Sequence, residues 1–233
     1  MHTIQPDLYI GSLRLSEPGV ALTGLFIGIL CFYAWLRLRR LPAPIAPQKW
    51  MTRFFGYMAL SATIGPFFGH AFNYWAGFPG KYICWVFSML SLAALAQAAI
   101  EHARPLLPRR NYRALCAANL TALLIGLAVS GVMQSFPWVE GHSAVILLGF
   151  MAPLEALVFW QNRDAGSRMM LASIPLAVLA VVPHVLKWSP AVWFTYYDLG
   201  HVVLYACFWV MLLGAEQMRL PEPDEKAETA DPA

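Results

Sequence analysis

The sequence predicts an all-α integral membrane protein: a bundle of seven transmembrane helices, N-terminus outside the cytoplasm and C-terminus inside. Three observations point there: an excess of apolar residues, seven apolar stretches of span length, and a charge alternation between them. Of 233 residues, 59% are hydrophobic and 12% charged, against roughly 45–50% and about 25% in soluble domains. Mean hydropathy is +0.55. A soluble fold of this size has no interior able to hide that much apolar surface. The same composition excludes disorder and a collagen-like repeat. The four cysteines, Cys31, Cys84, Cys116 and Cys207, form no CxxC pair. They read as small buried hydrophobes, not as a disulfide scaffold. Net charge is only +3, and no basic domain is left over for nucleic acid.

A bilayer core takes about 20 apolar residues per helix. Seven stretches qualify: 19–37, 54–77, 82–101, 113–133, 142–161, 168–187 and 190–214. Proline, glycine and charge punctuate the breaks, as in Leu41-Pro42-Ala43-Pro44, Gly77-Phe78-Pro79-Gly80 and Trp188-Ser189-Pro190. The first stretch runs into Arg37, Arg39 and Arg40 and lacks a small-residue cleavage site, so it reads as a retained anchor. Residues 1–18 are then an extracytoplasmic segment, 19–214 the helical domain, and 215–233 a disordered acidic cytoplasmic tail.

Orientation follows from lysine and arginine in short loops. Alternate loops carry eleven of them against two, Lys81 and Lys187. That pattern needs an odd number of helices. It also suggests a bacterial inner membrane.

Ionisable groups inside a membrane are expensive, so each is a functional candidate. Deep in the stretches lie His70, Glu155, Asp198 and His201, with Glu101, His102, His142 and His184 nearer the ends. No lysine sits mid-span in the last helix, which excludes a retinal Schiff base. At α-helical spacing Thr63, Pro66, His70 and Asn73 share one face, and Asp198, His201 and Tyr205 form a second stripe. Counting from the outer ends, His70 lies roughly 10 Å deep and Asp198 and His201 roughly 13 and 18 Å deep. His184 and His142 lie toward the same surface, and Glu155 lies deeper, toward the cytoplasm. Imidazoles with a carboxylate suit Zn²⁺ with one position open to water. His70, His201 and His184 are the expected metal ligands. Asp198 and Asn73 are the expected catalytic groups, Asp198 as a ligand, an orienting acceptor or a general base.

At these residues the chain resembles the CREST superfamily of seven-helix membrane proteins, which includes alkaline ceramidases and the progestin and adiponectin receptors. The resemblance implies zinc held by a histidine on helix two and an HxxxH pair on helix seven, and hydrolysis of an amide in a lipid. His70 matches the first and His201 the end of HxxxH. Tyr197 stands where that pair begins, and Pro66 stands where the family has serine. A zinc site here would draw on Asp198 or His184 instead.

The expected function is therefore a zinc-dependent membrane hydrolase acting on an amide or ester bond of a lipid or other amphiphile. The alternatives are a non-enzymatic seven-helix sensor or small-molecule receptor, and haem held between facing histidines.

Overall fold

The computed structural model describes residues 5–220, which are almost wholly helical. A two-stranded antiparallel hairpin, β1 (Leu8–Ile10) and β2 (Leu13–Leu15), comes first and turns at Gly11 with φ +61°. Then follow α1 (Pro18–Arg39), α2 (Ala46–Ile64), α3 (Asn73–Ala103) and α4 (Arg109–Met133). Next come α5 (Pro137–Ala144), α6 (Ala152–Asn162), α7 (Ala165–Leu186) and α8 (Tyr196–Gln217). Two π-helical stretches carry the helix onward: Gly65–Ala71 after α2, and Val145–Met151, which joins α5 to α6 as one rod.

Six of these rods are long and apolar enough to cross a membrane: α1, α3, α4, α5 with α6, α7 and α8. The α2 rod is not among them, because Gln48, Lys49 and Arg53 occupy its first turns. Helix α4 shows what solvent the bundle is built for. Its buried residues are Asn119, Gly126 and Ser130, whereas Leu120, Leu124, Ile125 and Val132 point outward. That is the reverse of a water-soluble helix and the arrangement expected when the surroundings are hydrocarbon.

The apolar core lies among α1, α2, α3, α6 and α8, with Phe54, Phe55, Leu95, Ile100, Met151 and Leu212 fully enclosed. Helix α1 packs against both α2 and α8. Small residues set the close approach. A Cβ on Gly28 would fall 2.9 Å from the Ala62 carbonyl oxygen, and one on Gly24 would fall 3.0 Å from Pro66 Cγ and 3.5 Å from His201 Cε1. Helices α2 and α8 also touch directly. The Phe54 and Phe208 rings are 5.8 Å apart, and Gln48 Nε2 donates to the Ala215 carbonyl at 3.2 Å.

Several boundaries differ from the sequence expectation. Helix α2 begins eight residues before position 54, since Pro47 sits at a first-turn position that tolerates it. The Gly77–Gly80 break falls where two helices meet at a kink with no loop between them. The chain breaks at Phe72 (φ −116°, ψ 23°), resumes at Asn73, and bends at Gly77, whose φ of 58° and ψ of −151° suit glycine. The last helix starts at Tyr196, not 190, after a turn pinned by the Ala191–Phe194 bridge. At its other end α8 continues to Gln217, so the tail expected from 215 starts with helix. Its remainder, 221–233, lies outside the described residues.

Candidate functional site

The hairpin end of the bundle gathers the first group of polar side chains. It is built on the start of α8. Thr195 caps that helix and Asp198 occupies the third helical position, completing a capping box. Asp198 is fully buried, and its carboxylate is held by four donors. Oδ2 accepts from Thr195 N at 2.7 Å, Thr195 Oγ1 at 2.8 Å and Gln5 Nε2 at 2.8 Å, and Oδ1 accepts from Thr23 Oγ1 at 3.0 Å. An acceptor so supplied is held in place.

Gln5 is the pin of this arrangement. It is buried, and its Oε1 accepts from Gly19 N at 2.9 Å and Val20 N at 3.2 Å, two amides that α1 leaves unpaired at its start. Its Nε2 reaches Asp198 and the Trp193 carbonyl. The N-terminal segment, α1 and α8 are thereby tied at one point.

His201 follows Asp198 by one turn. Its Nδ1 lies 2.9 Å from Thr23 Oγ1. The Thr23 hydroxyl has one proton, and the Asp198 carboxylate is the stronger acceptor for it. The hydroxyl oxygen then accepts from His201 Nδ1–H. This chain, His201 to Thr23 to Asp198, fixes the tautomer and leaves the Nε2 lone pair available.

His70 stands in the π-helical turn. Its Nδ1 lies 2.7 Å from Glu17 Oε2. Glu17 precedes Pro18 at the start of α1, with φ 49° in the left-handed region. The carboxylate accepts the Nδ1 proton and so orients the second imidazole as Thr23 orients the first.

His184 differs. Its ring packs edge-on against Tyr197 at 4.2 Å and Tyr196 at 5.1 Å, and its Nδ1 lies 3.7 Å from Glu140. Tyr197 stands between His184 and His70, whose ring is 6.1 Å away. Asn73 is buried, and its Oδ1 has no partner among the described residues. His142, on α5, faces Gly126, where a Cβ would fall 3.0 Å from its Cδ2. Tyr205 is 43% exposed on the outer face, so the i, i+3, i+7 stripe does not stay inside.

The depth estimate for helix α8 is corrected by its later start. Asp198 and His201 lie roughly 4 and 9 Å along it, not 13 and 18 Å. Of the expected common face, Thr63, Pro66 and His70 all meet α1, at Gly28, Gly24 and Glu17. The break at Phe72 interrupts the helical period before Asn73.

The donors present set the fit to zinc. Two imidazoles offer an oriented Nε2, one short of the three protein ligands that a catalytic zinc takes. Among the described residues no three His, Cys, Asp or Glu side chains gather as a metal-holding group. Asp198 is committed to its four donors and His184 to two tyrosines.

A second polar network lies at the opposite end of the bundle. His102, Glu155 and Ser167 are fully buried, and Asp164 nearly so. His102 Nδ1 is 3.0 Å from Glu155 Oε2, and Nε2 is 2.9 Å from the Arg219 carbonyl oxygen. Ser167 Oγ donates to Glu155 at 2.7 Å. Asp164 caps α7 by accepting from Ser167 N at 2.7 Å, and it also accepts from Arg219 N at 3.2 Å.

Sequence reasoning placed His102 and Glu155 among the ionisable candidates without pairing them, and it missed Gln5, Glu17, Thr23, Ser167 and Asp164. An acid immediately before Pro18 and an Asp-x-x-Ser at a helix start were signals for two of these. Nothing local marks Gln5 or Thr23 as partners of Asp198 and His201, which lie more than 170 residues away.

Fold and site together define a helical bundle suited to a membrane, with histidine–carboxylate centres at both ends. Residues 20–220 match the family model of DUF6962, a family of unknown function, and the chain belongs to that family. No curated protein and no solved structure matches it.

Proposed function

We propose that the protein is a seven-span integral membrane hydrolase that acts on an amide or ester bond of a lipid or other amphiphile, at the hairpin end of the bundle. One observation carries this reading. Each working imidazole has its Nδ1 held by an acid, His70 by Glu17 and His201 through Thr23 by Asp198, which leaves Nε2 as the base. A histidine so oriented is the general base of hydrolytic sites. His201 Nε2 takes a proton from water as the oxygen attacks the carbonyl carbon, and an imidazolium then returns it to the leaving nitrogen or oxygen. Asp198 and Glu17 position the rings. Asn73 Oδ1 is a further polar contact for substrate. The resemblance to the CREST superfamily supports the substrate class.

The α2 rod, lengthened by its π-helical stretch, supplies the seventh span. The loop charges then put the hairpin end outside and the C-terminus in the cytoplasm of a bacterial inner membrane.

The test is hydrolysis of acyl-amide and acyl-ester amphiphiles by purified protein, with zinc measured in parallel. Activity that is lost in His201→Ala and His70→Ala without bound metal supports the acid–base route. One zinc per chain, lost in both variants, replaces that route with a metal-bound water. A wild type with neither hydrolysis nor metal ends the hydrolase reading. The sensor alternative is favoured by the engagement of His184 with Tyr196 and Tyr197. It predicts a ligand-dependent shift in melting temperature with no product formed.

A further inference from the structure

The buried network at the far end holds more than helices. Immediately after α8, residue 219 is gripped by both of its backbone groups. Its N–H donates to Asp164 Oδ1 at 3.2 Å, and its carbonyl faces His102 Nε2 at 2.9 Å. Met218 is buried beneath this clamp, where Gly166 admits it; a Cβ on Gly166 would lie 2.6 Å from Met218 N. Residues 218–219 thus form a strap across the end of the bundle.

The strap depends on one proton. A carbonyl oxygen can only accept, so His102 Nε2 must donate to it. On the other side of the ring, Nδ1 faces a Glu155 carboxyl that already accepts from Ser167 Oγ at 2.7 Å. With a proton shared between Nδ1 and Glu155, every contact is a donor meeting an acceptor. Remove that proton and one side must fail. Either two lone pairs meet at Glu155, or the tautomer turns and two meet at Arg219.

We propose that His102 and Glu155 form a proton-operated latch on the C-terminal strap, closed when the pair holds its proton and opened when rising pH removes it. The charged groups facing His102 are Glu155 at the α6 rod and Asp164 in the turn before α7, whose Oδ2 is 3.8 Å from Nε2. Both are acids and favour the closed form. Glu101, beside it on α3, turns instead to Tyr112 and Arg104. The latch stands independently of the hydrolase reading.

The strap contains its own reporter, since trypsin cleaves after Arg219 only when that backbone is free. Full-length protein in detergent is digested between pH 6 and 9, and cleavage after Arg219 is divided by cleavage after exposed Arg40, which removes the pH dependence of trypsin. The ratio should rise about tenfold with pH, the change set by one charge-assisted hydrogen bond. Glu155→Gln separates a latch from a merely structural pair. Its amide donates to a neutral Nδ1, so the strap should stay protected across the whole range. His102→Ala should be cleaved at every pH. A wild-type ratio flat with pH, or one that rises equally in Glu155→Gln, overturns the proposal.

Discussion

Thr23 Oγ1 lies 2.9 Å from His201 Nδ1, and the same oxygen lies 3.0 Å from Asp198 Oδ1. The acid and the imidazole sit one turn apart on α8, yet they communicate through a hydroxyl supplied by α1. Thr23→Val keeps the shape and removes the link. It should lower stability by roughly 1–3 kcal/mol, because two buried groups lose a partner, and it should lower any hydrolytic rate at least tenfold. Thr23→Ser should restore both. Thermal melts and initial rates of the pair of variants check this.

Glu17 combines a left-handed backbone with a carboxylate on His70. The two contributions separate in a pair of variants. Glu17→Ala loses the carboxylate and keeps the strained conformation, whereas Glu17→Gly loses the carboxylate and relieves it. Glycine should be the more stable of the two by roughly 1–2 kcal/mol in a melt. Both should lose hydrolysis equally, because His70 loses its partner in each.

Gln5 gathers the N-terminal segment, α1 and α8 with one buried amide. Gln5→Leu fills the same space with nothing to donate or accept. It should destabilise by roughly 1–3 kcal/mol for the groups left unpaired. Proteolysis should then release the hairpin before any helix is cut. Uniform cutting along the chain would show that Gln5 does not pin that segment.

At Gly166 the neighbours of a new Cβ are all backbone atoms: Met218 N at 2.6 Å, Met218 Cα at 2.7 Å and the Gly214 carbonyl oxygen at 2.8 Å. None can rotate away. Gly166→Ala should cost roughly 1–3 kcal/mol through overpacking. The shift should appear as a lower midpoint in denaturant with an unchanged slope.

Much of the fold was legible because the bilayer imposes its rules on composition. Span-length apolar stretches, loop charge and proline–glycine breaks located α1, α4, the α5–α6 rod and α7 to within a few residues. The ends of α2 and α8 were not legible. Polar first turns disguise α2, and a capped start at Thr195 shortens α8, so apolar content alone misplaces both.

What the sequence by itself determined is that His70, His102, Glu155, Asp198 and His201 are buried or half-buried in a bundle that turns apolar side chains outward. Burial of an ionisable group follows from its apolar neighbours in the chain. Only the tertiary structure decided their partners. His70 meets Glu17 across 53 positions, and His102 meets Glu155 across another 53. Asp198 meets Gln5 across 193. A hydrogen bond is set by angstroms between helices, and the π turn at His70 and the glycine approaches of α1 settle those angstroms only once the bundle has packed.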